Sequence, residues 1–255
     1  MSFELTGRRA LVTGAGHGIG AAIATALAEA GADVVVHHGH SPEAAARVVK
    51  EIRATGRTSK AVQADVTYQG QVDDLIAETV GFLGGLDILV TNAGHLRARV
   101  PMTEMTEEHF NAVIDVNLTS AYRTVRAALP HLRASGANGR VITMASQAAH
   151  DGGGPGAVAY AAAKAGVVGL TKGMAKEFGT WGVTVNALAP GFIAETSFHD
   201  TFTAPEAQQR IASGLPIGRG GRVTDVAGTA VYLASDAASF VTGATFDIGG
   251  GAWPR

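Results

Sequence analysis

The chain has 255 residues, 46% of them hydrophobic and 16% charged, with 34 glycines and a net charge of −2. This composition excludes a disordered chain and fits a compact α/β protein with a sizeable core, expected as one domain over residues 1–255. The absence of cysteine excludes disulfide staples and thiolate chemistry, and the near-neutral charge without a Lys/Arg cluster argues against nucleic acid as a partner.

Glu4 and the lack of an apolar run before Arg8 do not fit a secretory signal. The longest apolar stretch, Ala21 to Val36, carries Glu29 and Asp33 and is too short and too charged to span a bilayer. A cytoplasmic protein without a membrane partner is expected.

The first predicted strand is RALVTG, running into a glycine turn and a helix from Ile19 to Ala30 that stops at Gly31. Asp33 to His37 is a second β-branched run, followed by a helix from about Pro42 to Ala54 and a strand near Ala61 to Val66. A helix from about Gln71 to Phe82 leads into the strand LDILVTN. Thr106, with Glu107, Glu108 and His109 behind it, starts one long helix ending near Pro130 to Ser135. The strand RVITMAS, a helix from Ala157 to Gly179 and the strand GVTVNALAP follow. Residues 191–221 break the rhythm and predict an excursion over the ligand face, after which a helix from about Thr224 to Ala234 and the strand ATFDIGG close the chain. Strand alternates with helix throughout, which predicts a Rossmann-type doubly wound parallel sheet of about seven strands with helices on both faces.

TGAGHGIG, Thr13 to Gly20, lies between the first strand and the first helix, where backbone amides and the helix dipole face an anionic phosphate. The strict G-x-G-x-x-G spacing fails at Ile19, and the pattern present is T-G-x-x-x-G-x-G. By itself such a loop is also compatible with a tight turn; its strand-loop-helix context favours a dinucleotide site. YAAAK places Tyr160 and Lys164 one helical turn apart on one face. That pair alone fits either a packing aromatic beside a solvated lysine or a phenol with a cation poised to lower its pKa.

Thr13-Gly14-x-x-x-Gly18-x-Gly20, Asn92-Ala93-Gly94, Asn117, Ser146, Tyr160-x-x-x-Lys164 and Pro190-Gly191 together resemble the short-chain dehydrogenase/reductase family, in order and over nearly the whole chain. The chain is most similar to the short members that include 3-oxoacyl carrier-protein reductases and sugar and secondary-alcohol dehydrogenases. The resemblance implies an NAD(P)-dependent oxidoreductase that interconverts a ketone and a secondary alcohol. It implies Tyr160 as general acid/base and Lys164 as its partner and ribose ligand. Ser146 polarises the carbonyl, and Asn117 distorts its helix and holds a relay water. The separation of Ser146 from Tyr160 is one residue longer than the family pattern, with the addition in the loop Gly152-Gly153-Gly154-Pro155.

Expected cofactor contacts are Gly14, Gly16, His17, Gly18, Ile19 and Gly20 in the turn, Asp65 and Val66 after the third strand, and Asn92, Ala93 and Gly94 after the fourth. Pro190, Gly191 and Ile193 follow the sixth, and Tyr160 and Lys164 complete the set. Thr196 stands one place later than the family's threonine. An NAD site would place a carboxylate about 20 residues after the turn. The second strand instead ends VVVHHGHS, without that carboxylate and with His37, His38, His40 and Ser41 able to hydrogen-bond a phosphate, which favours NADP over NAD although His17 stands where many NADP-binding members of the family carry an arginine. No metal site is expected at these histidines, which lack an acidic or cysteine partner.

Two other readings stay open: a catalytically silent dinucleotide-binding sensor or scaffold, and an epimerase or dehydratase on the same fold. The substrate is a small molecule whose identity the loops 95–100, 147–156 and 192–216 would set. The resemblance also implies a homotetramer built on the long helices and the last strand and helix.

Overall fold

The computed structural model describes residues 3–194 and 196–253; position 195, inside the predicted excursion, and the two residues at each end of the expected domain lie outside the described residues. Among the described residues there are seven strands: β1 (Arg9–Val12), β2 (Asp33–His38), β3 (Ser59–Gln63), β4 (Ile88–Thr91), β5 (Arg140–Met144), β6 (Thr184–Pro190) and β7 (Thr245–Ile248). The helices are α1 (Gly18–Glu29), α2 (Pro42–Ala54), α3 (Gln69–Leu83), α4 (Glu107–Ile114), α5 (Ser120–Ser135), α6 (Ala148–Asp151), α7 (Val158–Phe178), α8 (Ser197–Phe202), α9 (Pro205–Gly214) and α10 (Val223–Ala234).

All seven strands join one sheet in the order β3-β2-β1-β4-β5-β6-β7. Every neighbouring pair is parallel. This is the Rossmann-type arrangement predicted from the alternating elements. Strand order reverses between β1 and β4, and there the strands' carboxyl ends open a crevice for ligands.

Period-two side-chain alternation splits the core into two layers. Ala10, Val12, Val34, Val36, Ile88 and Val90 point to one face and pack with Ile23 and Leu27 of α1, Ile52 of α2 and Leu233 of α10. Leu11, Val35 and Leu89, lying between them in sequence, point to the other face and pack with Leu75 of α3, Leu132 of α5 and Phe178 of α7. Because both faces are covered, the strands read as unbroken hydrophobic runs.

At the amino-terminal edge of the sheet, opposite the crevice, polar braces fix strand ends. Asp87 accepts from the Arg9 side chain (Nε, 2.8 Å; Nη2, 2.8 Å), from the Arg9 backbone N–H and from Ser135 Oγ. Burial pushes the Asp87 carboxyl up, but the bonds from Arg9 and Ser135 outweigh it and hold the group below its ordinary value.

Three predicted elements differ. The third strand stops at Gln63 instead of Val66, because Asp65 Oδ1 turns the chain by accepting from Thr67 N–H (2.9 Å) and Thr67 Oγ1 (2.7 Å). The single helix from Thr106 is capped by the Thr106 hydroxyl as expected, but a π-helical turn, Asp115–Thr119, interrupts it. The described residues of 191–221 include α8, α9 and a parallel bridge between Ile193 and Gly221. Among the described residues no helix is long and apolar enough to cross a membrane.

Leu89 is fully buried at the centre of the sheet. Leu89→Ala should cost about 2–5 kcal/mol of folding stability, read as a lowered urea midpoint at unchanged slope.

Candidate active site

The glycine turn is shaped by how closely two chain segments approach. A Cβ on Gly20 would strike Gly14 O and Asn92 Nδ2, and one on Gly16 would lie 2.6 Å from Ser41 Oγ. Gly14 and Gly18 adopt φ of 63° and 58°, a region that side chains rarely enter. Asn92 Nδ2 donates to Thr13 O and Gly14 O, both at 3.0 Å, and Ala93 N–H donates to Thr13 Oγ1 at 3.0 Å. The end of β4 thus holds the turn open at the start of α1, leaving a cradle of bare backbone that fits a pyrophosphate.

His37 departs from the expectation that it could meet a phosphate. It lies buried beneath the turn, where Nδ1 accepts from Gly14 N–H (3.0 Å) and Nε2 reaches Ala64 O (2.9 Å). Those two bonds require a neutral ring protonated at Nε2, and burial pushes its pKa down to about 4. Sequence reasoning missed this role; the signal was its place inside β2, whose residues are buried on both faces.

The neighbouring groups at the end of β2 remain together. His38 is buried with Nδ1 lacking a hydrogen-bond partner, and burial holds its pKa below the ordinary value. Ser41 Oγ lies beside Gly16, while His40 and His17 are exposed. Burial pushes the Asp65 carboxyl up, but the Thr67 bonds hold it below its ordinary value. That carboxylate lies beyond β3, next to the buried Val66.

The four candidate catalytic residues come from three elements. Ser146 follows β5, and Tyr160 and Lys164 stand on α7. The Ser146 and Tyr160 side chains are hydrogen-bonded to each other, and Ser146 Oγ also accepts from Ala148 N–H at 3.2 Å. Lys164 is buried, its Nζ donating to Met144 O at 2.7 Å and lying 5.5 Å from the centre of the Tyr160 ring.

Asn117 sits in the π-turn, where its Nδ2 donates to His95 O (2.8 Å) and to Val113 O (2.9 Å), and its Oδ1 is buried without a partner. A Cβ on Gly94 would lie 2.5 Å from Asn117 Oδ1 and 3.4 Å from Lys164 Nζ, so this glycine lets the three residues converge. Asn117 thus bonds a carbonyl one turn back, and its helix is distorted around it.

Electrostatics differ from the expectation that Lys164 lowers the tyrosine. Burial pushes the Tyr160 phenol up to about 12, against the opposing bond from Ser146, and pushes the Lys164 ammonium down to about 8. Desolvation dominates both groups because each is removed from water and Lys164 points its charge at a carbonyl.

The far wall follows β6. Gln147 N–H donates to Pro190 O, Gly191 N–H donates to Ile248 O, and a Cβ on Gly191 would strike Gln147 Oε1. Ile193 is buried, and the Thr196 hydroxyl is turned back onto Ile193 O at 3.1 Å. Phe198 and Arg99, which no motif marked, also reach this region: Phe198 lies 5.7 Å from Tyr160 between ring centres, and Arg99 binds the carboxyl end of α8.

The lysine shift has a measurable consequence. Native Lys164 loses its proton near 8, whereas the unfolded chain keeps it to 10.5, so this group raises stability as pH climbs between those values. Tyr160 acts in reverse above 10, since the unfolded phenol ionises first. Between pH 7.5 and 9.5 the wild-type chain should gain on the order of 2 kcal/mol relative to Lys164→Met in urea unfolding. Parallel responses in the two proteins would show that the ammonium is not desolvated.

Comparison with known proteins agrees with this geometry. A family model described as enoyl-(acyl carrier protein) reductase matches residues 14–252. A 3-oxoacyl-(acyl-carrier-protein) reductase from Synechocystis is 44% identical over 248 residues, covering 97% of each chain. Its counterpart from Staphylococcus aureus is 41% identical over 244 residues, covering 96% of this chain and 97% of its own. A dehydrogenase/reductase from Sinorhizobium meliloti superposes with a TM-score of 0.91 at 40% identity, covering 99% of this chain and 98% of its own. A short chain dehydrogenase from Burkholderia cenocepacia, solved in complex with NADP, superposes with a TM-score of 0.90 at 36% identity over 98% of this chain and 99% of its own. The cradle at β1, the serine-tyrosine pair and these similarities along the whole chain converge: it belongs to the short-chain dehydrogenase/reductase family.

Proposed function

We propose that this chain interconverts a ketone and a secondary alcohol, with Tyr160 as general acid/base and NADP favoured over NAD. The observation that carries the reading is the hydrogen-bonded pair of hydroxyls, Ser146 and Tyr160, beside a buried ammonium at the carboxyl edge of the sheet. When bound, the nicotinamide supplies a hydride to the carbonyl carbon, or accepts one in the reverse direction. Ser146 holds the carbonyl oxygen, and Tyr160 passes its proton to that oxygen as negative charge develops there. Lys164 then faces the phenolate, and its cation stabilises the anion more as substrate and cofactor exclude water. The orphaned Asn117 Oδ1 suits a water that returns a proton to this pair.

Gly14, Gly16, Gly18, Ile19 and Gly20 would cradle the pyrophosphate. Asp65 and Val66 border the adenine, Asn92, Ala93 and Gly94 the adjoining ribose, and Pro190, Gly191 and Ile193 the nicotinamide. NADP is supported by the lack of a carboxylate at the end of β2, by the unpartnered His38 Nδ1 and by Ser41 and His17 nearby. The Burkholderia relative in complex with NADP points the same way. Relatives named for 3-oxoacyl carrier-protein substrates make a 3-oxoacyl thioester one candidate ketone.

Enoyl reduction, carried by the description of the family model, is less well served, since paired hydroxyl donors suit an oxygen that becomes an alcohol. A silent sensor does not account for an intact set of Asn117, Ser146, Tyr160 and Lys164, and an epimerase, which would use the same pair, is told apart by net NADPH oxidation with ketones. We also take the chain as one domain and a homotetramer, with the outer edge of β7 and the fully exposed Phe240 as contact surface.

Tyr160→Phe keeps the ring and removes the proton. Turnover of NADPH with a ketone should fall by roughly 10²–10⁴-fold while NADPH binding, followed by its fluorescence, stays within a few-fold of wild type. Near-normal turnover in this variant would sink the assignment.

A further inference from the structure

Three loops meet in front of Tyr160, and one side chain ties them together. Arg99, on the loop after β4, donates from Nε to Phe202 O at 2.9 Å and from Nη1 to Pro155 O at 3.0 Å. Phe202 ends α8, so the guanidinium binds a helix carboxyl terminus, where a cation complements the exposed carbonyls. The base of this latch is fixed. Val100 N–H donates to Gly156 O at 3.1 Å, and Gly156, with φ of 75°, has no room for a Cβ because Val100 N and Arg99 C would lie 2.9 and 3.0 Å from it.

What the latch holds in place is aromatic. Phe198, in the first turn of α8, packs on Tyr160 at 5.7 Å and on Phe202 at 5.3 Å. His199 packs on Phe192 at 4.6 Å, and burial, aided by Arg99, pushes its pKa down to about 4, so the ring is neutral at physiological pH. The surface that α8 offers to the general acid is therefore uncharged and built of rings, although α8 otherwise exposes Ser197 and Asp200.

We propose that Phe198 is the specificity-determining wall of the active site, selecting ketones with an apolar arm such as an aryl or alkyl group, and that Arg99 is the positioning residue that latches α8 to hold it there. This inference rests on the ketone reductase reading. A planar arm beside the reacting carbonyl would pack on Phe198, as the tilted Tyr160 ring does, and gain the offset or edge contacts that aromatic rings favour. A sugar in the same place would lose water from its hydroxyls and find no partner on the rings.

The test uses the full chain with NADPH and two ketones, propiophenone and hydroxyacetone, in wild type, Phe198→Ala, Phe198→Leu, Arg99→Met and Arg99→Lys. Wild type should prefer propiophenone, and Phe198→Ala should reduce that kcat/KM ratio roughly 10–100-fold, with Phe198→Leu between them. Arg99→Met should lower the ratio mainly through KM, and Arg99→Lys should recover part of it, because one ammonium cannot span both carbonyls. Hydrogen exchange supplies a readout without turnover. Arg99→Met should speed exchange of the Asp200 and Thr203 amides, which are bonded within α8. Propiophenone, but not hydroxyacetone, should slow them in wild type and not in Phe198→Ala.

A wild-type preference for hydroxyacetone, an unchanged ratio in Phe198→Ala, or unchanged α8 exchange in Arg99→Met overturns the proposal. Absence of NADPH oxidation with every ketone overturns the reductase reading instead, and the exchange arm still decides whether the latch and the aromatic wall exist.

Discussion

The contact on which the rest of the site depends is the approach of Gly20 to Gly14 O and Asn92 Nδ2, closer than any side chain permits. It brings the amino end of α1 against the end of β4, across the point where strand order reverses. Asn92 bonds both carbonyls of the turn, and His37 supports it from below through Gly14 N–H. A phosphate cradle needs backbone donors that are free and aimed outward. These polar side chains provide that by satisfying the turn's inward groups, so that it keeps its shape without a ligand.

The catalytic side of the crevice is governed by the opposite need, which is to keep charge out of water. Lys164 is buried and Tyr160 half-buried, and desolvation moves their pKa values apart, to about 8 and about 12. In that state neither group is ionised by the other, since the ammonium bonds Met144 O and the phenol bonds Ser146. On the proposed reading, the arrangement keeps the phenol protonated, as an acid must be before reduction. It also leaves a cation one turn away for the moment an anion forms. The cost is a desolvated lysine, tolerated because Met144 O accepts from it and because Gly94 gives it space beside Asn117.

Much of this was legible in the sequence because period and punctuation carry it. Buried strands announce themselves as RALV and ILVT, and the glycines of TGAGHGIG mark where backbone must approach backbone. Features set by a single local bond were not legible. Asp65 ends β3 early through Thr67, and nothing in the pattern SKAVQADV separates that turn from a longer strand. The distortion at Asn117 is implied by the family resemblance and not by the residue pattern, because it depends on bonds to His95 O and Val113 O, one of them 22 positions away. Histidines ending β2 read as phosphate ligands by type, yet His37 is consumed inside because residues on either face of this central strand are buried.

The region 191–221 shows how function depends on the least regular part of the chain. Its short helices bury no residue of their own, so hydrophobic burial does not anchor them. Their position comes from ring contacts, Phe198 on Tyr160 and His199 on Phe192, and from a few polar ties: the bridge of Ile193 to Gly221, the Thr196 hydroxyl on Ile193 O, and Arg99 on Phe202 O. Each tie contributes on the order of 1 kcal/mol. A crevice whose floor is rigid backbone and whose front is held by such bonds can fix the reaction in the floor and the substrate in the front. Divergence in substrate then needs changes only at positions such as Phe198 and Arg99, while Tyr160 and Lys164 stay where the sheet has put them.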